Sequence, residues 1–312
     1  MTAPTHERHR EGVNMNKILL VDVDSKIPNL ALMKISAWHK SIGDTVDFGM
    51  ANPDKVYISC VFKKNAGQAK GIAKYYPDAE IDIGGSGVDL KKELPVDFEM
   101  MKPDYDLYPS TFSQGYTTRG CPNKCGFCIV PEKEGKIRIA KHPSEFDDPR
   151  FDTMMIMDNN LFGAPQSWQD DVLGWFVGNH MKMLSPQGWD ARLLNERRWL
   201  MLSAIDHAAA IHFAWDDIKD EKYIRRAIDI MKQAGITDGH LRRNISFYVL
   251  AGYGESTFED ALYRCTTLKE LGTQSFVMPY HKKDKRINAL ARWANRPWLY
   301  WSIPFEDYKV LS

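Results

Sequence analysis

The chain has 312 residues, 44% hydrophobic and 26% charged, which is enough for two domains or one large α/β domain with a full core. Its 41 basic and 41 acidic side chains cancel, so net charge gives no reason to expect a nucleic-acid or membrane-surface partner. No apolar run approaches the roughly 20 residues of a membrane helix. The polar residues 1–14 do not resemble a signal peptide; they are expected to form a disordered leader, with Met15 an alternative start, and the expected compartment is the cytoplasm.

Strand and helix alternate from the start. Lys17-Ile18-Leu19-Leu20-Val21 is a short apolar run suited to a buried parallel strand. Leu30, Met33, Ala37 and Trp38 recur at helical spacing and predict a helix that stops at Gly43-Asp44. A short second strand is predicted over 45–48, a third over 56–62, a helix over 66–75, and a strand over 79–83 that runs into Gly84-Gly85-Ser86-Gly87. Such alternation predicts a small, doubly wound, Rossmann-like α/β domain over 15–110, with right-handed crossovers. The stretch 89–109, rich in Lys, Pro and Asp, reads as a linker.

A second series of strands is predicted over 114–118, 154–158, 189–194, 210–215, 245–250 and 275–279. Helices lie between them, most distinctly over 221–234 and 257–271. Six strand–helix units predict an open, partial (βα)6 barrel over 111–285 rather than a closed eightfold one. An aromatic extension, 286–312, follows; it carries Arg292-Trp293-Ala294-Asn295-Arg296-Pro297-Trp298-Leu299-Tyr300-Trp301, just after a basic run at 281–286. Interleaved aromatic and Arg side chains can stack on bases; the commoner role, expected here, is to seal the open edge of the barrel. Arg242 and Arg243, before the fifth strand, either hold an anionic substrate or are simply solvated.

Three of the five cysteines fall within eight residues, in Arg119-Gly120-Cys121-Pro122-Asn123-Lys124-Cys125-Gly126-Phe127-Cys128. A disulfide framework would spread them along a small secreted chain. Three thiolates on one loop can instead ligate three irons of a cubane cluster and leave the fourth open to a small molecule. Pro122 and Gly126 are turn formers that let the loop fold around such a core. The alternative is structural zinc, which needs a fourth ligand. His142, Cys60 and Cys265 are the candidates, and none sits at a paired spacing.

The Cys-x3-Cys-x2-Cys spacing, with aromatic Phe127 just before the third cysteine, resembles the signature loop of radical S-adenosylmethionine (SAM) enzymes. The resemblance implies that Cys121, Cys125 and Cys128 hold a [4Fe-4S] cluster whose free iron binds SAM. An electron from a flavodoxin- or ferredoxin-type donor would then cleave SAM to methionine and a 5′-deoxyadenosyl radical that abstracts hydrogen from substrate. Asp158-Asn159-Asn160 stands where the family has a motif, more commonly Gly-Gly-Glu, that contacts the SAM amino group. Gly188-Trp189-Asp190-Ala191-Arg192-Leu193-Leu194 is similar to the third-strand motif of the cobalamin-type branch, which implicates Asp190 and Arg192. His212-Phe213-Ala214-Trp215-Asp216 resembles the fourth-strand segment, whose acidic residue, here Asp216, lies near the SAM ribose or amino group. Leu250-Ala251-Gly252-Tyr253-Gly254-Glu255-Ser256 resembles the Gly-rich end of the fifth strand, which implicates Gly252 and Tyr253. The resemblance covers roughly 112–281. Plainer roles stay open: Asp158 and the asparagines can cap a turn, and Asp190 and Arg192 can form a structural ion pair.

The segment from Pro28 through Val46 resembles the opening of the branch's cobalamin-binding domain, and Ile83-Gly84-Gly85-Ser86-Gly87 its later strand and glycine turn. Cobalamin is thereby implied as a further cofactor, and where it binds the reaction would be a methyl transfer. The Asp-x-His-x-x-Gly motif of some cobalamin proteins is absent, and the alternative is a domain kept for structure or substrate recognition. Two rival functions stand beside this one. A tRNA methylthiotransferase needs three more cysteines in its first domain, where only Cys60 lies. A non-catalytic zinc- or cluster-binding adaptor is separable by metal analysis. The sequence identifies no substrate.

Overall fold

A computed structural model describes residues 15–281 and 283–308; the leader expected over 1–14 lies outside them. The chain is mixed α/β with parallel sheets and divides into two compact units, one ending at Ser110 and one beginning at Thr111.

The first unit runs β1 (Lys17–Asp22), α1 (Leu30–Ser41), β2 (Thr45–Asp47), β3 (Lys55–Ser59), α2 (Ala66–Ala73), β4 (Glu80–Gly84) and α3 (Val96–Glu99). Its four strands are all parallel, in the order β2-β1-β3-β4. Successive side chains of a strand point to opposite faces, and β1 divides its apolar run accordingly. Ile18 and Leu20 pack with Leu32 and Ile35 of α1 and with Phe98 of α3. Leu19 packs on the other face with Val56, Ile58 and Ala69 of α2. Both faces of the sheet are therefore covered, as a continuous apolar strand requires.

Two expectations need correction here. The stretch 89–109 is no linker, because α3 and its flanks are strapped onto α1. Lys34 Nζ pairs with Glu99 at 2.7 Å, Ser36 Oγ donates to Asp104 at 2.6 Å, and Phe98 and Tyr105 are buried. Two of its charges, Glu99 and Asp104, find partners on α1, and Lys92 pairs with Asp82 of β4. The third strand also stops at Ser59 rather than at residue 62. Asp24 takes the amides of Val61 (2.7 Å) and Phe62 (3.0 Å), which removes them from sheet pairing.

The second unit begins with β5 (Ser113–Gly115), β6 (Thr118–Arg119), α4 (Val130–Lys133), β7 (Arg138–Ile139), β8 (Thr153–Ile156), α5 (Gln166–Gly178), β9 (Lys182–Leu184) and α6 (Glu196–Ser203). It continues with β10 (Ile211–Ala214), α7 (Glu221–Gln233), α8 (Asp238–Asn244), β11 (Ile245–Ala251), α9 (Phe258–Glu270), β12 (Gln274–Pro279), α10 (Lys285–Ala294) and α11 (Pro297–Ser302). Strands β5-β8-β9 and β10-β11-β12 form two parallel sheets in chain order. Isolated parallel bridges, Met183–His207 and Trp189–Phe213, connect the third strand region to the fourth. One continuous core lies beneath, with Phe247, Val249 and Ala251 of β11 fully buried. Helix α7 presents Ile224, Ala227, Ile228 and Met231 to it, at the spacing of one helical face. Thr257 and Asp260 close a capping box at the start of α9.

The expected third strand, 189–194, is also corrected. The strand is β9, and the expected segment contributes only the Trp189 bridge before coiling into a short turn, Ala191–Leu193. Asp190 dictates this by accepting the Arg192 amide at 3.1 Å, a local bond that competes with sheet pairing. The expected first strand, 114–118, is split: β5 lies in the sheet, while β6 pairs antiparallel with β7.

The aromatic extension packs inward. Trp293 and Tyr300 are fully buried, and Tyr300 Oη donates to the Cys265 carbonyl at 2.8 Å. Asn295 bonds both backbone groups of Val277, at 2.7 and 3.0 Å, so its amide acts as a neighbouring strand on edge strand β12. The Arg242 guanidinium lies 4.2 Å from the Trp301 ring centroid, a cation–π contact. Among the described residues, no helix is long and apolar enough to cross a membrane.

Candidate metal and cofactor site

The cysteine loop hangs from the β6–β7 hairpin. Glu134 accepts from Arg119 through both oxygens, at 2.9 Å each, and Arg138 adds a bond to the Glu134 carbonyl at 2.6 Å. Burial would raise the Glu134 carboxyl; the surrounding cations Arg119, Lys133 and Arg138 hold it below the ordinary range. Gly120 leads into the loop with φ +82°, and a Cβ there would overlap the Lys136 carbonyl oxygen, so glycine is required. Gly163 lies close under Pro122, where a Cβ would stand 2.7 Å from the ring.

The polar residues at the end of β8 hold this loop. Both Asp158 oxygens are engaged: the Thr117 amide donates at 2.6 Å, the Thr117 hydroxyl closely, and the Thr118 hydroxyl at 2.7 Å. Burial lifts its carboxyl to about 6 in spite of those donors. Asn159 Oδ1 accepts the Gly120 amide at 3.0 Å. Asn160 alone of the three reaches the cysteines, its Nδ2 lying 3.6 Å from Cys121 Sγ and 3.2 Å from Asp190 Oδ2.

Asp190 is the hub of the far side. Asn123 Nδ2 donates to it at 2.8 Å, and Arg192 clasps it through Nε (2.8 Å) and Nη2 (3.0 Å). Burial opposes its charge, but Arg192 and Asn123 keep the carboxyl below the ordinary range. Arg192 and Asp216 lie near enough to Cys125 to act on its thiol electrostatically, and burial raises that thiol. Asp216 is raised by burial, against the pull of the Leu250 amide (3.1 Å), Arg264 and Arg192. Phe127 meets Tyr253 edge to face at 5.5 Å, and a Cβ on Gly126 would stand 2.6 Å from Tyr253 Oη. Gly252 has φ +80° and abuts Ile287. The structure thus brings Asn160, Asp190, Arg192, Asp216, Phe127 and Tyr253 around the three cysteines. Asp158, Asn159 and Gly252 serve the chain around them.

Arg264 was not singled out in the sequence. Its side chain is fully buried and faces no carboxylate within ion-pair distance among the described residues. It donates to the carbonyls of Trp215 (2.7 Å), Asp216 (2.8 Å) and Leu250 (2.9 Å) and clamps two strand ends together. The only signal was its position on the apolar stripe of α9, with Ala261, Cys265 and Leu268. Asn123 and the Thr117-Thr118 pair were also missed, because their role depends on distant partners.

The three loop thiols are free and partly exposed, as ligands require. Donors already point at two of the sulfurs: the Asn123 amide lies 3.4 Å from Cys121 Sγ and the Val130 amide 3.5 Å from Cys128 Sγ. Bonds of this kind stabilise cluster thiolates and set cluster potential. Among the described residues, no three His, Cys, Asp or Glu side chains converge as one ion would need. A cubane makes a different demand, one thiolate per iron.

In the first unit, the glycines after β4 are packed against a neighbouring loop. A Cβ on Gly85 would overlap the Cys60 carbonyl, and one on Gly87 would lie 2.7 Å from the Phe62 carbonyl carbon. These glycines are spent on packing one loop against the next. The amides beside them are taken by Asp24, whose carboxyl they and Asn65 pull below the ordinary range against burial. No family model matches the chain, and no curated protein matches it in sequence.

Proposed function

We propose that the chain is a radical SAM enzyme: a Rossmann-like first unit followed by a partial (βα)6 barrel that carries a [4Fe-4S] cluster on Cys121, Cys125 and Cys128. The observation that carries this reading is the convergence on one three-cysteine loop of side chains that follow four successive strand segments: Asn160 after β8, Asp190 and Arg192 after the Trp189 bridge, Asp216 after β10 and Tyr253 after β11. Strand C-termini are where parallel α/β folds place their chemistry. When bound, the cluster supplies the electron that cleaves SAM.

The chain's own residues divide the remaining work. Asp158, Asn159 and the Arg119–Glu134 pair fix the loop, so that the three thiolates are presented at set positions. Asn160, Asn123 and the Val130 amide donate toward the cysteine sulfurs and favour their charged form. Asp190, Arg192 and Asp216 offer SAM one cation and two carboxylates, suited to its carboxylate and its amino or ribose groups. Phe127 and Tyr253 form an apolar wall that limits water beside the loop. An electron donor of flavodoxin or ferredoxin type completes the system.

The test is anaerobic reconstitution with iron and sulfide, addition of SAM and dithionite, and quantification of 5′-deoxyadenosine. The control is the triple Cys121/Cys125/Cys128→Ala variant. Product above the control is expected. A site filled by zinc, with no iron retained and no product, would replace this reading with the zinc-binding adaptor.

A further inference from the structure

The face of the β10-β11-β12 sheet turned away from the helical core carries a stripe of aromatic side chains, open at Phe276 and partly covered over Tyr248, whose Oη donates to the Pro186 carbonyl at 2.9 Å. Phe213, Phe247, Val249 and Val277 point into the helical core and are buried. The alternate positions point the other way. There His212 stacks on Tyr248 at 4.7 Å and 16°, and Tyr248 meets Phe276 edge to face at 5.7 Å. Phe276, in mid-strand, is 41% exposed. A large aromatic side chain held open on the edge strand of a parallel sheet leaves apolar area uncovered where burial would stabilise it.

The stripe leads to the cysteine loop. Phe276, Met278 and Tyr280 follow one another at the two-residue period on the same side of β12 and its extension. Tyr280 meets Tyr253 at 4.9 Å, and Tyr253 meets Phe127 beside Cys128 at 5.5 Å. Along this face, the alternate positions of β10, β11 and β12 include no Asp, Glu, Lys or Arg. Burial keeps the His212 imidazole below its ordinary range and hence neutral at physiological pH. The first carboxylate on this side, Asp216, lies past the end of β10, so a charged group beside Phe276 and Tyr248 would find no side chain of opposite charge on these strands. A flat ring would gain the offset or edge-on contacts that aromatic walls favour.

We infer that this face binds an uncharged, planar aromatic ring of the substrate, seated against Phe276 and Tyr248. The inference rests on the proposed function for its word "substrate", and it names the substrate's class. A ring so seated lies on the stripe that ends at the cysteine loop, where the proposed chemistry takes place.

The test uses indole as the probe, titrated into the full chain by calorimetry, with cyclohexanol (uncharged, not planar) and benzoate (planar, charged) as comparisons. Indole is expected to bind, and the other two to bind at least about tenfold more weakly. Phe276→Ala should weaken indole about tenfold, and Tyr248→Leu should do likewise should Phe276→Ala perturb the fold. Trp298→Ala, which removes an exposed ring elsewhere, should leave indole binding unchanged. Indole binding that is indifferent to both Phe276→Ala and Tyr248→Leu would overturn the inference, as would equal binding of cyclohexanol or benzoate. The titration is repeated on the triple cysteine variant, which should bind indole normally. If the wild type holds zinc and no iron and makes no 5′-deoxyadenosine, yet binds indole at Phe276, the enzyme reading falls and the aromatic site stands.

Discussion

Replacing Arg264 by Met keeps most of the side-chain volume and removes the guanidinium that ties two strand ends together. Three carbonyls, those of Trp215, Asp216 and Leu250, then lose donors at 2.7–2.9 Å in a buried setting. Each buried, unsatisfied carbonyl costs about 1–3 kcal/mol, so the gross loss is about 3–9 kcal/mol. Removing a buried charge returns several kcal/mol of desolvation, which offsets roughly half of that. The net expectation is a destabilisation of about 2–4 kcal/mol. Urea unfolding followed by tryptophan fluorescence reads it directly, because of nine tryptophans only Trp38 precedes Ser110. The signal is therefore dominated by the second unit. Arg264→Lys should lose a similar amount, since one ammonium cannot span carbonyls on two strands. A loss below about 1 kcal/mol for Arg264→Met, with an unchanged denaturant slope, would refute the clamp.

Two further outcomes are expected. Asp158 has a folded-state pKa of about 6, above the ordinary 3.8, so the folded protein holds this proton more tightly than the unfolded chain. Its contribution is therefore greatest in acid and is lost as pH rises through about 6: stability should fall by about 1–2 kcal/mol between about pH 5 and pH 8 from this group. Denaturant titrations across that range should show this slope missing in Asp158→Asn, and identical slopes in the two proteins would contradict it. In the extension, Trp293→Ala should cost about 3–5 kcal/mol as a large core truncation, whereas Trp298→Ala should stay within about 0.5 kcal/mol. Thermal unfolding of both variants checks the contrast, which follows from one ring being buried and the other exposed.

Where apolar periodicity ran uninterrupted, the sequence was enough to place an element. β1, α1, α7 and α9 lie within a residue or two of their expected bounds, because their patterns have a single solution. β9 was missed because Met183 is its one fully buried residue, and because Trp189 and Ala191 imitate a strand. What decided the matter was the Asp190 carboxylate capping the next turn, a bond no alternation reveals. The strap 89–109 was misread for the opposite reason: its Glu99 and Asp104 are satisfied by α1, some 65 residues away in sequence. Within the site, the cysteines were evident from spacing, and the site residues came from a resemblance. That Asp158 serves Thr117 and Thr118, while Asn160 serves Cys121, depends on which rotamer each adopts at the end of one strand. Spacing could not rank them.

The cysteine loop is held from outside itself, by the Arg119–Glu134 pair, the Gly120 turn and the side chains that follow β8. None of those supports contains a thiol. Structural zinc modules fold only with their metal; here the architecture stands on ordinary chain contacts. Descendants of this protein that lost all three cysteines would keep a folded scaffold with an accessible aromatic face. Such a scaffold is open to recruitment as a binding protein, so the loss of one activity need not end the lineage of the fold.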